Sequence, residues 1–342
     1  MNRKMKKYLF YLLWLVAGCT SDYQIETEQK QVKLTPIQDD VCPDINCFNN
    51  KMISKGVATQ SQLEYFFNRV NYKDSIIRVM NKPGTSNPWY IFKKNNVSSI
   101  TIRQGINFYN KNKLVINTVS KKTGVPPEYI LAILGMETRY GMMMGHENVA
   151  DSLYTLAFYY PRRARLFQKE LEEFFLMSQE ANRDPFTYKG SFAGAMGYPQ
   201  FMPSSYRKWA VSYSGNDFPD IWHKEEDAIA SIGNYLQQHG WQRGEGVYYP
   251  VSLNINPQLQ TIITEETSLK YSVGDLKSKG VNFFNKLPDN LKVVLFKLET
   301  SPGSDSYFVG LNNFYTIWKY NNSHLYVMAI EQIAQGIRKG IY

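Results

Sequence analysis

Residues that hold metals or cofactors are scarce in this chain. Three cysteines and four histidines stand among 342 residues, and His146, His223, His239 and His324 show no metal-ligand spacing. No glycine-rich loop leads into Lys-Ser or Lys-Thr, and there is no G-x-S-x-G elbow, so nucleotide phosphates and a serine-nucleophile hydrolase both lack their usual sequence basis. No usable thiol nucleophile is present, and no internal repeat or low-complexity run appears. No apolar run is long enough to span a bilayer. Basic stripes are also missing, which argues against nucleic acid as a partner. Acid–base chemistry by a carboxylate is what remains.

What is present describes an exported globular protein. Apolar content of 43% with 20% charged residues has the balance of a folded domain. The net charge of +9 falls to +5 without Arg3, Lys4, Lys6 and Lys7, leaving 35 basic against 30 acidic residues. A diffuse charge of this size suits an anionic polymer. The 25 tyrosines and 19 phenylalanines fit an aromatic core and equally fit surfaces for flat ligands such as sugars.

The basic start is followed by a short apolar run from Tyr8 to Val16, read as a secretory signal over residues 1–18. Val-Ala-Gly-Cys resembles the lipobox of bacterial lipoproteins, in which Cys19 becomes the acylated N-terminus. Thr20 rather than Asp follows it, a resemblance to lipoproteins sorted to the outer membrane. Residues 19–58 read as a polar tether. Near its end, Cys42 and Cys47 have no histidine beside them and fit a small-loop disulfide in an oxidising compartment.

The stretch of greatest chemical interest is VPPEYILAILGMETRY, from Val125 to Tyr140. Pro126 and Pro127 suit the first turn of a helix, where a missing N–H does no harm. Ile130, Ile133 and Leu134 form an apolar stripe whose next position is Glu137. Burial disfavours an ionised carboxylate, so the Glu137 pKa is expected to rise into the range of a general acid. A structural ion pair, for instance with Arg139, is the other reading.

Helical periodicity also marks segments from residue 59 and over 105–122, 151–160, 164–180, 227–241 and 325–337. SFAGAMGYPQFMPSS, from Ser191, has Gly194, Gly197 and the amide of Gln200, fitting either close backbone approach to a ligand or a tight connection. The Ser212 loop only loosely follows a calcium template: Ser212 and Ser214 stand at its first ligand positions and His223 at its last, so no metal is expected. Segments 247–253, 260–264, 291–298 and 306–311 read as short strands.

Taken together, GVPPEYILAILGMETRYG, YYPRRARLFQKELEEF, DPFTYKGSFAGAMGYPQFMPSSY, DAIASIGNYLQQHGW and NFYTIWKYNNSHLYVMAI resemble the membrane-bound lytic murein transglycosylase B family of the lysozyme-like superfamily. The resemblance runs over about residues 60–340. It implies a mainly α, α+β protein. A lysozyme-like helical catalytic core over 59–246 would be completed by 312–342, with a small β-rich insertion at 247–311. It also implies Glu137 as the single acid/base, Ser191, Gln200, Arg162, Arg163, Tyr320, Asn321 and Tyr326 as substrate-binding residues, and no cofactor. Pro199 departs from members with Gly before the Gln, and Ser212 and Asn216 replace calcium-binding carboxylates of some members.

The implied reaction cleaves the β-1,4 bond between N-acetylmuramic acid and N-acetylglucosamine and forms a 1,6-anhydro sugar. The alternatives are a lysozyme-type hydrolase of the same bond and a non-catalytic peptidoglycan-binding lipoprotein. The expected partners are glycan strands and a membrane reached through the lipid anchor. The expected form is a monomer on the periplasmic face of the outer membrane.

Overall fold

A computed structural model of the chain describes residues 41–81, 87–216 and 218–342. The signal segment, Cys19 and Asp217 lie outside the described residues. The chain divides into two compact units.

The first unit combines the described residues up to 81 with Met144–Trp209 and Ile221–His223. Its helices are Ile45–Ser54, Gln60–Phe67, Asp74–Met80, Val149–Tyr159, Ala164–Glu180 and Pro203–Trp209. Strands β1 (Glu147–Asn148) and β2 (Lys189–Gly190) pair antiparallel. Local chemistry explains the helix starts. Thr59 and Gln62 form a reciprocal capping box, and the Asn148 side chain accepts from the N–H groups of Ala150 and Asp151. Phenylalanines fill the interior: Phe48 meets Phe158 edge-on at 5.7 Å, and Phe66 lies 4.6 Å from Phe175.

The tether expected over 19–58 is corrected in its described part. Residues 45–54 are helical, with Asp44 capping the helix through the Cys47 N–H. Phe48 and Met52 are buried, so the polar composition conceals two core anchors four residues apart. Cys42 and Cys47 form a disulfide. Buried Gln168 accepts from Cys42 N and donates to Cys42 O, each at 2.8 Å, which satisfies the incoming backbone.

The second unit holds the described residues of 87–143, 210–220 and Lys224–Tyr342. Its main helices are Trp89–Asn96, Ser99–Thr123, Pro127–Thr138, Glu225–Gln238, Asn312–Tyr320 and His324–Ile341. Ser98 caps the second of these, which therefore begins earlier than the expected residue 105. Pro127–Thr138 packs on Ser99–Thr123, Glu225–Gln238 and His324–Ile341. Every residue from Pro127 to Gly135 is buried, so the expected apolar stripe is one side of a helix enclosed all round.

Strands β3 (Tyr248–Leu253), β4 (Tyr271–Ser272), β5 (Val281–Phe283), β6 (Lys292–Ser301) and β7 (Ser304–Gly310) form an antiparallel sheet in the order β4-β6-β7-β3-β5. Val251, Val273, Leu276, Leu295 and Val309 belong to its own apolar core. The strand expected at 260–264 is corrected to a helix, Pro257–Thr264. Asn256 accepts from Leu259 N, Pro257 occupies the first turn, and Leu259 and Ile262 are buried at helical spacing. A short apolar run cannot be assigned to strand or helix by its composition alone.

Candidate active site

Glu137 lies in the last turn of the helix Pro127–Thr138 and is 8% exposed. Its carboxyl is pushed up to about 8 by burial, the larger influence, against the opposing effect of a hydrogen bond from Tyr326. The Tyr326 hydroxyl donates to Glu137 Oε1 at 2.6 Å.

A tyrosine cluster faces this acid. The Tyr320 ring lies parallel to that of Tyr326, 6.5 Å away with 8° between planes. Tyr235 meets Tyr320 edge-on at 4.7 Å and donates its hydroxyl to Lys319 O at 2.7 Å. His239 stacks on Tyr235 at 3.8 Å. Tyr320 and Tyr326 are raised well above the usual tyrosine range by burial first, then by the nearby Glu137. Both stay neutral while Glu137 titrates, so they offer hydroxyls and ring faces without adding charge. Asn321 follows the helix Asn312–Tyr320 in extended backbone and is buried.

The second unit thus brings Glu137, Tyr320 and Tyr326 together. Tyr235 was missed by sequence reasoning. Its signal is a tyrosine within an otherwise apolar helix face, which reads as core until its neighbours are known.

Ser191, Gln200, Arg162 and Arg163 belong to the first unit. Ser191 is buried, and its Oγ accepts from Ala193 N at 3.2 Å and Ala195 N at 3.0 Å. The hydroxyl proton is still available for donation. Gln200 sits at φ 52°, a left-handed conformation uncommon for a side-chain-bearing residue. Its amide nitrogen donates to Gly197 O at 2.9 Å and Met144 O at 3.1 Å, while its Oε1 is buried with no protein partner. An orphaned buried acceptor of this kind suits a donor on a ligand. Arg162 and Arg163 form the 3-10 turn Pro161–Arg163, and neither has a salt-bridge partner among the described residues.

The Ser212 loop belongs to the second unit, and its Asp217 lies outside the described residues. Ser212 Oγ and Ser214 Oγ lie 3.3 Å apart, and Asn216 N donates to Ser212 Oγ. The nearby carboxylate, Asp227, accepts from Tyr213 N and Asp220 N, each at 2.8 Å.

The chain is similar to known proteins in sequence and in fold. The family model of the transglycosylase SLT domain matches residues 42–335. The chain is 37% identical over 305 residues to membrane-bound lytic murein transglycosylase B of Escherichia coli (strain K12), covering 86% of this chain and 82% of that protein. It superposes on soluble lytic transglycosylase SltB1 from Pseudomonas aeruginosa with a TM-score of 0.78 at 37% identity, covering 86% of this chain and 98% of that one. SltB3 from Pseudomonas aeruginosa, solved in complex with NAG-anhNAM-pentapeptide, matches with a TM-score of 0.71 at 27% identity over 87% of this chain and 79% of that one.

Proposed function

The chain belongs to the transglycosylase SLT domain family, and from that membership we propose that it is a lytic murein transglycosylase in which Glu137 is the single acid/base. It acts on peptidoglycan glycan strands. The observation that carries the role of Glu137 is a carboxyl enclosed in an apolar helix, raised to about 8 and held by a neutral tyrosine hydroxyl. Such a group is protonated at neutral pH and can give up its proton when a partner charge develops.

In the proposed reaction Glu137 protonates the oxygen leaving C1 of N-acetylmuramic acid. The C1–O bond breaks, and the 2-acetamido group of the same sugar stabilises the positive charge at C1. Glu137, now ionised, is stabilised by the Tyr326 hydroxyl. It takes the proton of the sugar's 6-hydroxyl as that oxygen attacks C1. The product is the 1,6-anhydro sugar, and Glu137 is again protonated, so no water is consumed and no cofactor is required. Within the second unit, Tyr320 and Asn321 beside Glu137 are the proposed glycan contacts, and within the first unit Ser191, Gln200, Arg162 and Arg163 are proposed glycan-binding residues. The open Gln200 acceptor suits an N–H or O–H of the sugar, and the unpaired arginines suit its acidic lactyl and peptide groups.

The related Escherichia coli enzyme is named membrane-bound. Among the described residues no helix is long and apolar enough to cross a membrane. Anchoring through lipid on Cys19, at the periplasmic face of the outer membrane, is the proposed attachment. A fatty-acid analogue should label the wild type and leave Cys19→Ser unlabelled. For the reaction itself, mass spectrometry of digested sacculi decides. Muramyl ends lighter by one water are expected, whereas reducing muramyl ends identify a hydrolase and an intact sacculus identifies a binding protein.

A further inference from the structure

Immediately after the acid, the backbone does something a helix end rarely does. Arg139, Tyr140 and Gly141 take φ values of 50°, 58° and 87°, three left-handed residues in succession. Two of them carry side chains, which left-handed backbone disfavours. Strain of this kind persists only where the surroundings over-determine it.

The surroundings here are built around one ring. Tyr140 is buried, packs 5.4 Å from Phe108, and donates its hydroxyl to Thr101 O at 3.1 Å. Its phenol lies in a slot between two helices, each of which has a glycine there. A Cβ on Gly135 of the acid helix would stand 2.5 Å from the Tyr140 hydroxyl and 2.8 Å from its Cζ. A Cβ on Gly105, in Ser99–Thr123, would overlap the same hydroxyl. Neither glycine has positive φ. Glycine inside a helix is disfavoured relative to alanine, and the backbone does not require it here. The ring does.

We propose that Tyr140 is a positioning residue for the reaction, a ring latched between Gly105 and Gly135 that holds the last turn of the acid helix and thereby sets the direction of the Glu137 carboxyl. The link is short. Tyr140 N donates to Leu134 O at 3.1 Å and Arg139 N to Gly135 O at 3.2 Å, and both carbonyls belong to the turn that contains Glu137. Thr138, next to the acid, accepts from Gly141 N through Oγ1 and from Met143 N through its carbonyl. If the ring leaves the slot, these bonds lose their common support and the carboxyl moves relative to Tyr326. A misplacement near 1 Å can cost about a hundredfold in rate.

The inference rests on Glu137 being the acid. Activity retained in Glu137→Gln would overturn that assignment, whereas the latch is tested by variants that leave Glu137 in place. The measurements are kcat and KM on a soluble glycan of defined length, with circular dichroism and melting temperature confirming the fold. Tyr140→Leu empties the slot and Gly135→Ala expels the ring; each should lower kcat at least about tenfold with KM within about twofold, as expected when positioning rather than binding is lost. Tyr140→Phe keeps the ring and loses only the bond to Thr101, so kcat should fall about fivefold at unchanged KM, and this variant serves if the larger changes prevent folding. Wild-type kcat in Tyr140→Phe or in folded Tyr140→Leu overturns the proposal. So does a Gly135→Ala enzyme that is stabilised and fully active, since alanine is favoured in a helix wherever there is room. A loss confined to KM overturns it as well.

Discussion

The Tyr326 hydroxyl donates to Glu137 Oε1 at 2.6 Å across 189 positions of sequence. Burial favours the neutral acid, and this bond favours the carboxylate. Their opposition keeps the carboxyl near 8, where it is protonated before the reaction and can still be ionised during it. Tyr326→Phe removes only the stabilisation of the ionised form. The Glu137 pKa should rise further, and the alkaline limb of the kcat/KM profile should move to higher pH. A hydrogen bond to a charged group is worth about 1.5–3 kcal/mol, so kcat should fall about ten- to a hundredfold. A pH–rate series on the folded variant checks both effects, and an alkaline limb that moves downward contradicts the assignment.

Glu137→Gln should lose at least about a hundredfold in anhydro-muropeptide release, because both proton transfers disappear. Sacculus binding should persist. Wild-type stability should also depend on pH in a defined direction through this carboxyl. A carboxyl raised in the folded state favours folding below its unfolded pKa of about 4.5. That advantage is lost as pH rises toward about 8. The amide does not titrate, so the melting temperature of Glu137→Gln relative to wild type should increase between pH 5 and pH 9. A constant difference across that range argues that the carboxyl is not perturbed.

The Cys42–Cys47 loop is short, and closing such a loop removes about 2 kcal/mol of unfolded-chain entropy. Gln168 is expected to matter at least as much, because Gln168→Leu abandons both Cys42 N and Cys42 O in a buried setting at about 1–3 kcal/mol for each group. Thermal unfolding of this variant, beside wild type with and without reductant, provides the comparison. A Gln168→Leu protein as stable as the oxidised wild type would show that the N-terminal segment is not tied to the unit.

Chelation should leave activity and melting temperature within error of untreated enzyme, since the Ser212 loop is held by hydrogen bonds among hydroxyls, backbone and Asp227. Activity lost to EDTA and regained with calcium would reverse this reading.

Much of the helical framework was legible because its determinants are local. Thr59 marks a helix start through a side chain that reaches three residues ahead, whereas Ser98 and Asn148 cap helices that periodicity alone begins later, at 105 and 151. The segment Ala164–Glu180 can be delimited from periodicity alone. Glu137 could be singled out for the same reason, as an acid where the 3.6-residue period calls for an apolar group. Local pattern failed where local signals conflict. Residues 260–264 are β-branched enough to suggest a strand, but Asn256 and Pro257 upstream begin a helix. Polar neighbours around Phe48 and Met52 hid a packed helix within the supposed tether.

The sequence by itself determined most of the long helices, though not Ile45–Ser54 or Pro257–Thr264, and which carboxylate is out of place. Only tertiary structure decided what surrounds that carboxylate. Enclosure of Pro127–Thr138 on every side, the hydroxyl of Tyr326, the edge contact of Tyr235 on Tyr320 and the slot that Gly105 and Gly135 leave for Tyr140 all join residues on different helices. Periodicity reports which way a side chain faces along one helix, but the environment that shifts a pKa is made by the helices packed against it.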